Sequence, residues 1–167
     1  MRVVLDTNVL VSGLLSPFGP PGEIVRLVSD GSIILCVDAR IIAEYEDVLA
    51  RPKFGFDQDD VSALMDLIDA TGESVAAQPL SVRLPDIDDE PFLEVTVAAS
   101  ADFLVTGNTA HFPPDAWQDA TVVSPAEFME SYRSCIRMGD TLPRLRAERR
   151  EVESTGRRSA SAQAEKR

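Results

Sequence analysis

The sequence predicts an α/β fold, a three-layer sandwich in which helices cover a mostly parallel central sheet. Short apolar segments with strand character alternate with amphipathic helical segments along most of the chain. The continuous apolar run Ser32–Val37 is typical of a parallel strand that is buried on both faces. The segment that follows it has apolar residues at helical spacing, namely Ile41, Ile42, Tyr45, Val48 and Leu49.

Turn and capping residues bound the individual elements. Strands are predicted at Val3–Leu5, Ser32–Val37, Phe103–Thr106 and Thr121–Val123, with a further extended segment at Val75–Val82. Helices are predicted at Val9–Leu15, Glu23–Ser29, Asp38–Ala50, Asp59–Ala70, from the acidic loop Leu84–Asp89 to about Ala99, and from Ser124 to about Cys135. Ser124 and Glu127 form a capping box around a proline at the first helical position, which marks the start of the last helix.

Composition separates the chain into a body and a tail. Residues 1–138 are predicted to form one domain, and residues 139–167 a charged, disordered and flexible basic tail with no apolar face to bury. Residues 141–167 hold eight basic and four acidic residues, a net charge of +4, although the whole chain carries −12. Residues 1–140 therefore carry eight basic against 24 acidic residues, a net charge of −16. Such a body repels a phosphate backbone unless bound cations, the tail or a basic partner add positive charge.

The sequence also argues against export and membrane insertion. No apolar run approaches the roughly 20 residues that span a bilayer, and a strand beginning at residue 2 leaves no room for a signal peptide. Cys36 and Cys135 lie far apart and suggest neither a disulfide framework nor a zinc site. We therefore expect a cytoplasmic protein with no membrane partner.

Carboxylates and amides recur where strands end or helices begin. Asp6 follows the first strand, Glu44 lies in the helix after the second, Asp86, Asp88 and Asp89 open a later helix, and Asn108 follows the third clear strand. Because the carboxyl ends of parallel strands meet at one edge of a sheet, these side chains are expected to converge. Converging carboxylates without a lysine or arginine need a cation to remain ionised together, and Mg²⁺ and Mn²⁺ prefer such oxygen ligands.

Each of these residues also has a structural interpretation. Asp6 suits the N-cap of the following helix as well as it suits a metal site. Glu44 lies on a helix whose polar face is ordinarily solvated, and Asp88 or Asp89 can cap a helix. Asn108 can serve the turn after Gly107, where asparagine tolerates left-handed geometry. The common position of all these residues at element ends favours a site over four separate structural roles.

Four segments together resemble the PIN-domain ribonucleases, and in particular the PIN proteins that act as toxins of toxin–antitoxin pairs. They are Val3-Val4-Leu5-Asp6-Thr7-Asn8-Val9-Leu10, Ile42-Ala43-Glu44-Tyr45, the run from Asp86 to Glu94, and the run from Ala101 to Pro113. The resemblance covers roughly residues 1–135 and leaves the tail out. The first segment alone is weakly specific, whereas all four in this order and at this spacing are strongly specific.

The resemblance implies a role for each matching position. Asp6, Glu44 and Asp89 would be the catalytic carboxylates and metal ligands, and Asp88 is an alternative to Asp89 because the helix phase is not visible in the sequence. Asn108 would be a further ligand where many PIN domains have a fourth aspartate, which puts a second metal in doubt. Thr7, Asn8 and Thr106 would orient ligands or water. We assign His111, the single histidine, to packing of its loop rather than to catalysis.

The function implied by the resemblance is metal-dependent endoribonucleolytic cleavage of RNA, with one or two Mg²⁺ or Mn²⁺ ions. A small antitoxin protein is the expected partner, and homodimerisation is a further expectation. A PIN fold that binds RNA or a partner without cleaving is the alternative, which Asn108 favours. Phosphotransfer through an aspartyl phosphate ranks lower, because it needs a lysine after a later strand and this chain has only Lys53 and Lys166.

Overall fold

The computed structural model describes residues 1–81, 83–117 and 120–138. The chain divides into two compact units, Met1–Ser131 and Tyr132–Arg167, and the fold described below is that of the first. The strands are β1 (Arg2–Leu5), β2 (Ile34–Val37), β3 (Glu73–Ser74), β4 (Phe103–Val105) and β5 (Val122–Val123). The helices are α1 (Thr7–Leu15), α2 (Pro20–Ser29), α3 (Ala39–Leu49), α4 (Gln58–Thr71), α5 (Glu90–Ala98) and α6 (Pro125–Met138).

The five strands form one sheet in the order β3-β2-β1-β4-β5, and every pairing between neighbours is parallel. This confirms the predicted α/β class. The chain lays down β1, β2 and β3 in one direction and then returns to the other side of β1 for β4 and β5. Strands β1 and β4 therefore flank the point where the strand order reverses, which is where ligands bind in open α/β sheets.

The core consists of the central strands and the helices packed on them. Val3, Val4 and Leu5 of β1 are fully buried, as are Leu104 and Val105 of β4. Helix α5 packs against β1, β2 and β4, while α1 contacts α2 and α3, and α4 contacts α2, α3 and β2. The continuous burial of β1 fits a strand covered on both faces, so the residue that follows it is delivered to the sheet edge by a rigid support.

The capping residues predicted from the sequence are in place at two helices. The Asp38 carboxylate accepts hydrogen bonds from the backbone N–H groups of Arg40 and Ile41, both at 3.0 Å, at the start of α3. Before α6, the Ser124 N–H and hydroxyl both donate to Glu127 Oε2 at 2.8 Å, and the Glu127 N–H donates to Ser124 Oγ at 3.3 Å. Both patterns satisfy backbone groups that a helix N-terminus leaves without partners.

The segment that we expected to be extended between residues 75 and 82 follows the short strand β3, and the Val75 N–H still donates to the Val37 carbonyl of β2 at 2.8 Å. The strand here is only Glu73–Ser74, residues 75–80 form no regular structure, and Val82 lies outside the described residues. Buried glutamates of α5 hold this part of the chain, because Glu94 Oε1 accepts the Leu80 N–H and Glu90 Oε1 accepts the Leu84 N–H, both at 3.2 Å. Side-chain acceptors thus satisfy two backbone N–H groups in this irregular part of the chain.

Gly13 sets the closest approach between α1 and α2. A Cβ added there would lie 2.5 Å from Val25 Cγ2 and 2.7 Å from the Pro21 carbonyl oxygen. The Pro21 contact is with backbone and cannot be relieved by a side-chain rotation, so the two helices would have to separate. The absence of a side chain at position 13 therefore allows α2 to pack directly on α1.

We expect Gly13→Ala to lower the free energy of unfolding. Overpacking of a core costs about 1–3 kcal/mol, and the higher helix propensity of alanine offsets about 1 kcal/mol of that. The net loss is therefore about 0–2 kcal/mol by these figures, and the contact with the Pro21 backbone favours the upper part of that range. Urea unfolding measures it. Ser12→Ala, at an exposed position of the same helix, is the matched control and should be neutral or slightly stabilising. A stability of Gly13→Ala equal to that of Ser12→Ala would contradict the close packing.

Candidate metal centre

Asp6 stands directly beyond β1 at the point where the strand order reverses. Its backbone N–H donates to the Val105 carbonyl at 2.9 Å, which continues the pairing of β1 with β4 by one residue. Its Oδ1 accepts the backbone N–H of Asn8 at 3.1 Å, so Asp6 does cap α1. Only 6% of the residue is exposed. The cap and the candidate ligand are therefore one residue, and the two interpretations of Asp6 are compatible.

Two side chains fix the orientation of the Asp6 carboxylate. Thr106 Oγ1 and Asn8 Nδ2 each donate to Asp6 Oδ2 at 2.6 Å. Because Oδ2 receives both of these bonds and Oδ1 receives only the backbone bond, Oδ1 retains the greater accepting capacity for a cation. Burial raises the pKa of Asp6, and the hydrogen bonds from Thr106 and Asn8 act in the opposite direction.

The same supporting residues are themselves held by the turn after β4. Asn8 Oδ1 accepts the Gly107 N–H, and Thr106 Oγ1 accepts the Asn108 N–H, both at 2.9 Å. A Cβ at Gly107 would lie 2.8 Å from Asn8 Oδ1. The turn can therefore approach the Asn8 amide only because residue 107 has no side chain.

Glu44 and Asp89 bring two further carboxylates towards Asp6. Thr7 Oγ1 donates to Glu44 Oε1 at 2.5 Å, which ties α3 to the start of α1. Burial raises the pKa of Glu44 against the hydrogen bond from Thr7, and the charges of Asp6 and Asp89 raise it further. The pKa of Asp89 is also raised, mainly by burial, and the charge of Asp6 adds to that rise. The three groups are thus close enough to repel one another.

Tyr45 anchors the helix that carries Glu44. Its side chain is completely buried, and its hydroxyl donates to the Leu5 carbonyl at the end of β1. Burial raises the pKa of Tyr45 well above its ordinary value, and the charges of Asp6 and Glu44 act in the same direction. Tyr45 therefore remains a neutral donor, and its bond to β1 sets the distance between α3 and Asp6.

The donor set fits a hard divalent cation. Within the part of the chain that the structure describes, none of Asp6, Glu44 and Asp89 forms an ion pair with a lysine or arginine. Three carboxylates that converge without a basic residue have their repulsion relieved by protonation or by a cation. Carboxylate oxygens on rigid supports are the ligands that Mg²⁺ and Mn²⁺ take in proteins. Asp6, Glu44 and Asp89 are therefore candidates to hold such an ion, with Asp86 and His111 as further candidates beside Asp89.

The remaining candidates lie at the periphery of this group. Asp88 is exposed, although its charge contributes to the raised pKa of Glu44, and its N–H donates to Asp86 Oδ1 at 3.1 Å. Asn108 is half-buried, and no hydrogen bond of its carboxamide is found among the described residues. Asp89 is thus the better placed of the two neighbouring aspartates, with only 15% of its side chain exposed.

The structure adds His111, which the sequence analysis did not place in the site. His111 Nδ1 lies 2.7 Å from Asp89 Oδ2, and 41% of its side chain is exposed, so His111 contacts a candidate ligand and not only its own loop. Ligand atoms of Asp86, Asp89 and His111 lie within 4.8 Å of one another. One feature of the sequence pointed to a place for His111 near the site: the single histidine stands three residues after Asn108, on the turn that follows β4.

Comparison with known proteins identifies the family of this chain. A family model described as a PIN domain matches residues 2–110, a range that includes Asp6, Glu44, Asp89 and Asn108. This chain belongs to the PIN-domain family. PIN domains are generally nucleases, which hydrolyse phosphodiester bonds, and the family is typically dependent on divalent metal ions.

A curated relative and the solved structures add little about activity. The uncharacterized protein MJ1680 of Methanocaldococcus jannaschii is 29% identical over 111 residues, which cover 65% of this chain and 71% of that protein. No solved structure matches this PIN domain significantly. No helix among the described residues is long and apolar enough to cross a membrane.

The raised pKa values of Asp6, Glu44 and Asp89 predict a pH-dependent cost of folding in the absence of cations. Between the ordinary carboxyl pKa values, 3.8 for aspartate and 4.5 for glutamate, and the raised values of the folded state, the native protein binds more protons than the unfolded chain. The free energy of unfolding therefore falls as the pH rises through this window and stays lower above it.

Glu44→Gln isolates this effect and its relief by a cation. With chelator present, we expect the melting temperature of Glu44→Gln to exceed that of the wild type at pH 7 but not below pH 4. Added Mn²⁺ should raise the melting temperature of the wild type at pH 7 more than that of the variant. Glu46→Gln, an exposed change on the same helix, is the control. Equal melting profiles for Glu44→Gln and Glu46→Gln would contradict repulsion in the site.

Proposed function

We propose that this PIN domain is a divalent-cation-dependent endoribonuclease, and that it acts as the toxin of a toxin–antitoxin pair. The observation that carries the proposal is a buried Asp6 carboxylate held by Thr106 and Asn8 directly beyond β1. Glu44 and Asp89 are near enough for the charge of Asp6 to raise their pKa values, and no lysine or arginine among the described residues pairs with any of the three. Membership of a nuclease family supports it. The acidic body supports it further, because an RNA backbone approaches such a surface only if positive charge is added at the site.

Different residues of the chain have different roles in the proposed reaction. Asp6, held by Thr106 and Asn8, and Glu44, held by Thr7, present oxygen ligands from fixed positions. The chemistry supplied by Mg²⁺ or Mn²⁺ in such a site is neutralisation of phosphate charge and a lower pKa of water. Asp89 in its ionised form accepts the proton of the attacking water. The water oxygen forms a bond to phosphorus while the bond to the 3′ oxygen breaks, and this oxygen takes up a proton from solvent. The products carry a 5′-phosphate and a 3′-hydroxyl.

A PIN fold that binds RNA or a protein partner without cleaving is the second candidate. Asn108 favours it, because an amide stands where many PIN domains have a fourth carboxylate and one negative charge is lost. The phosphotransfer alternative loses support. Lys53 lies over the Phe54 ring at 4.7 Å, Lys166 lies outside the described residues, and no ion pair links Asp6 to a lysine in the described part of the chain.

A small antitoxin and homodimerisation remain proposals about partners. An acidic pocket attracts a basic side chain, so an antitoxin that inserts an arginine between the carboxylates would both neutralise and block the site. Co-expression with the product of a neighbouring short reading frame should then abolish any growth arrest caused by this chain. Persistence of the arrest would argue against that product as the antitoxin.

Cleavage assays separate the nuclease from the binding module. The purified full chain, incubated with a panel of structured and unstructured RNAs, should cleave at least one of them with Mn²⁺ or Mg²⁺ and none with chelator. Asp6→Asn, Glu44→Gln and Asp89→Asn should each lower the rate by about 100-fold or more, since each removes a charged ligand. Asp66→Asn, an exposed change on α4, should leave the rate unchanged.

Two results would count against a nuclease. The first is retention of the wild-type rate by all three carboxylate variants, which would assign the cleavage to a contaminant. The second is RNA binding without cleavage across the panel, together with no heat of Mn²⁺ binding in calorimetry. The second result would establish the binding module instead.

A further inference from the structure

His111 closes a short turn that brings an imidazole to one carboxylate of the site. The turn Thr109–His111 follows β4, and the His111 N–H donates to the Asn108 carbonyl at 3.2 Å. From this position Nδ1 reaches Asp89 Oδ2 at 2.7 Å, across 22 residues of sequence. The contact joins the turn after β4 to the turn that precedes α5.

The chemistry of the pair determines which nitrogen carries the proton. An ionised carboxylate only accepts hydrogen bonds, so Nδ1 of His111 must be the donor. In the neutral imidazole this leaves Nε2 as an acceptor, with 41% of the side chain exposed to solvent. The less common Nδ1–H form of the ring is therefore expected, selected by Asp89.

Each of the three carboxylates has its own side-chain donor. Asp6 receives bonds from Thr106 and Asn8, and Glu44 receives one from Thr7. For Asp89, among the described residues, the side-chain donor is His111. Its backbone N–H makes only a 3.4 Å contact with the Asp86 carbonyl. Without the imidazole, the Asp89 carboxylate would be free to rotate away from Asp6 and Glu44.

We propose that His111 is a positioning residue, whose Nδ1–H holds the Asp89 carboxylate in the orientation required for cation binding. This inference rests on the proposed function for its consequence, but the hydrogen bond itself is independent of activity. A histidine that served only loop packing would be buried, and it would not need to donate a hydrogen bond to a carboxylate. A histidine that ligated the cation through Nδ1 would lose its proton and its bond to Asp89 when the cation binds.

Nuclear magnetic resonance can observe this histidine without ambiguity, because it is the only one in the chain. Long-range ¹H–¹⁵N spectra of the cation-free protein at alkaline pH should show the Nδ1–H form. Asp89→Ala should convert the ring to the ordinary Nε2–H form, whereas Asp88→Ala, the neighbouring exposed aspartate, should not. An Nε2–H ring in the wild type would overturn the proposal. So would loss of the Nδ1 proton on saturation with Mg²⁺, which would make His111 a ligand.

Substitutions at position 111 test the consequence for cation binding. His111→Asn keeps an N–H donor close to the position of Nδ1, whereas His111→Phe keeps the ring and removes every donor. Calorimetry with Mn²⁺ should show affinity weakened by about 10–100-fold in His111→Phe and by no more than about threefold in His111→Asn. For an RNA that the wild type cleaves, kcat should fall in His111→Phe with little change in KM. Wild-type affinity and kcat in His111→Phe would overturn the proposal.

The two proposals fail in different ways. If the wild type neither binds Mn²⁺ nor cleaves RNA, the proposed function fails, and the tautomer of His111 still decides whether it holds Asp89. If the wild type binds Mn²⁺ and cleaves while His111→Phe does so equally well, the proposed function stands and the positioning role fails.

Discussion

The hydrogen bond from Thr106 to Asp6 is the interaction on which the rest of the site depends. It joins the residues that follow β1 and β4, 100 positions apart in sequence, at the point where the order of the strands reverses. A buried carboxylate without donors would cost several kcal/mol or would remain protonated. The donors at Asp6 reduce that cost, and they do so only if both strands end in register. The parallel pairing of β1 with β4 is therefore a condition for the chemistry as well as for the fold.

The three carboxylates also lower the stability of the folded protein locally, at the site where we propose the activity. Mutual repulsion among three carboxylates opposes folding, and it is tolerated because the surrounding elements are rigid. Tyr45 fixes α3 to β1, and Thr7 fixes Glu44 to α1, so the carboxylates cannot relax by moving apart. The stability of the surrounding fold thus offsets the repulsion between the three carboxylates before any ion binds.

Much of this could be predicted from the sequence because it depends on local pattern. The apolar run before Asp6, the cap at Asp38 and the box at Ser124 are signals that lie within a few residues of each other, and the structure contains all three. The position of Asp6 could be predicted from the apolar run, because a residue directly after a buried parallel strand lies at the edge of the sheet where the strands end.

What the sequence did not predict depends on contacts between distant segments. Periodicity gives no information on whether Asp88 or Asp89 faces the site, or on the contact of His111 with Asp89. Glu90 and Glu94 resemble solvated helix residues in the sequence, yet both are buried and bind Arg83 and Arg40. Glu94 and Glu90 also accept the backbone N–H groups of Leu80 and Leu84, contacts that the sequence pattern does not show.

Gly107 shows how a residue with no functional group can limit what this site tolerates. A single methyl group there would meet the Asn8 amide oxygen at 2.8 Å, so the amide would have to shift, and this same amide donates to the carboxylate of Asp6. A mutation at this position would leave every acidic residue intact and still disturb their geometry. Random mutagenesis scored by loss of function should therefore recover position 107 alongside the carboxylates, although inspection of side-chain chemistry alone would pass over it.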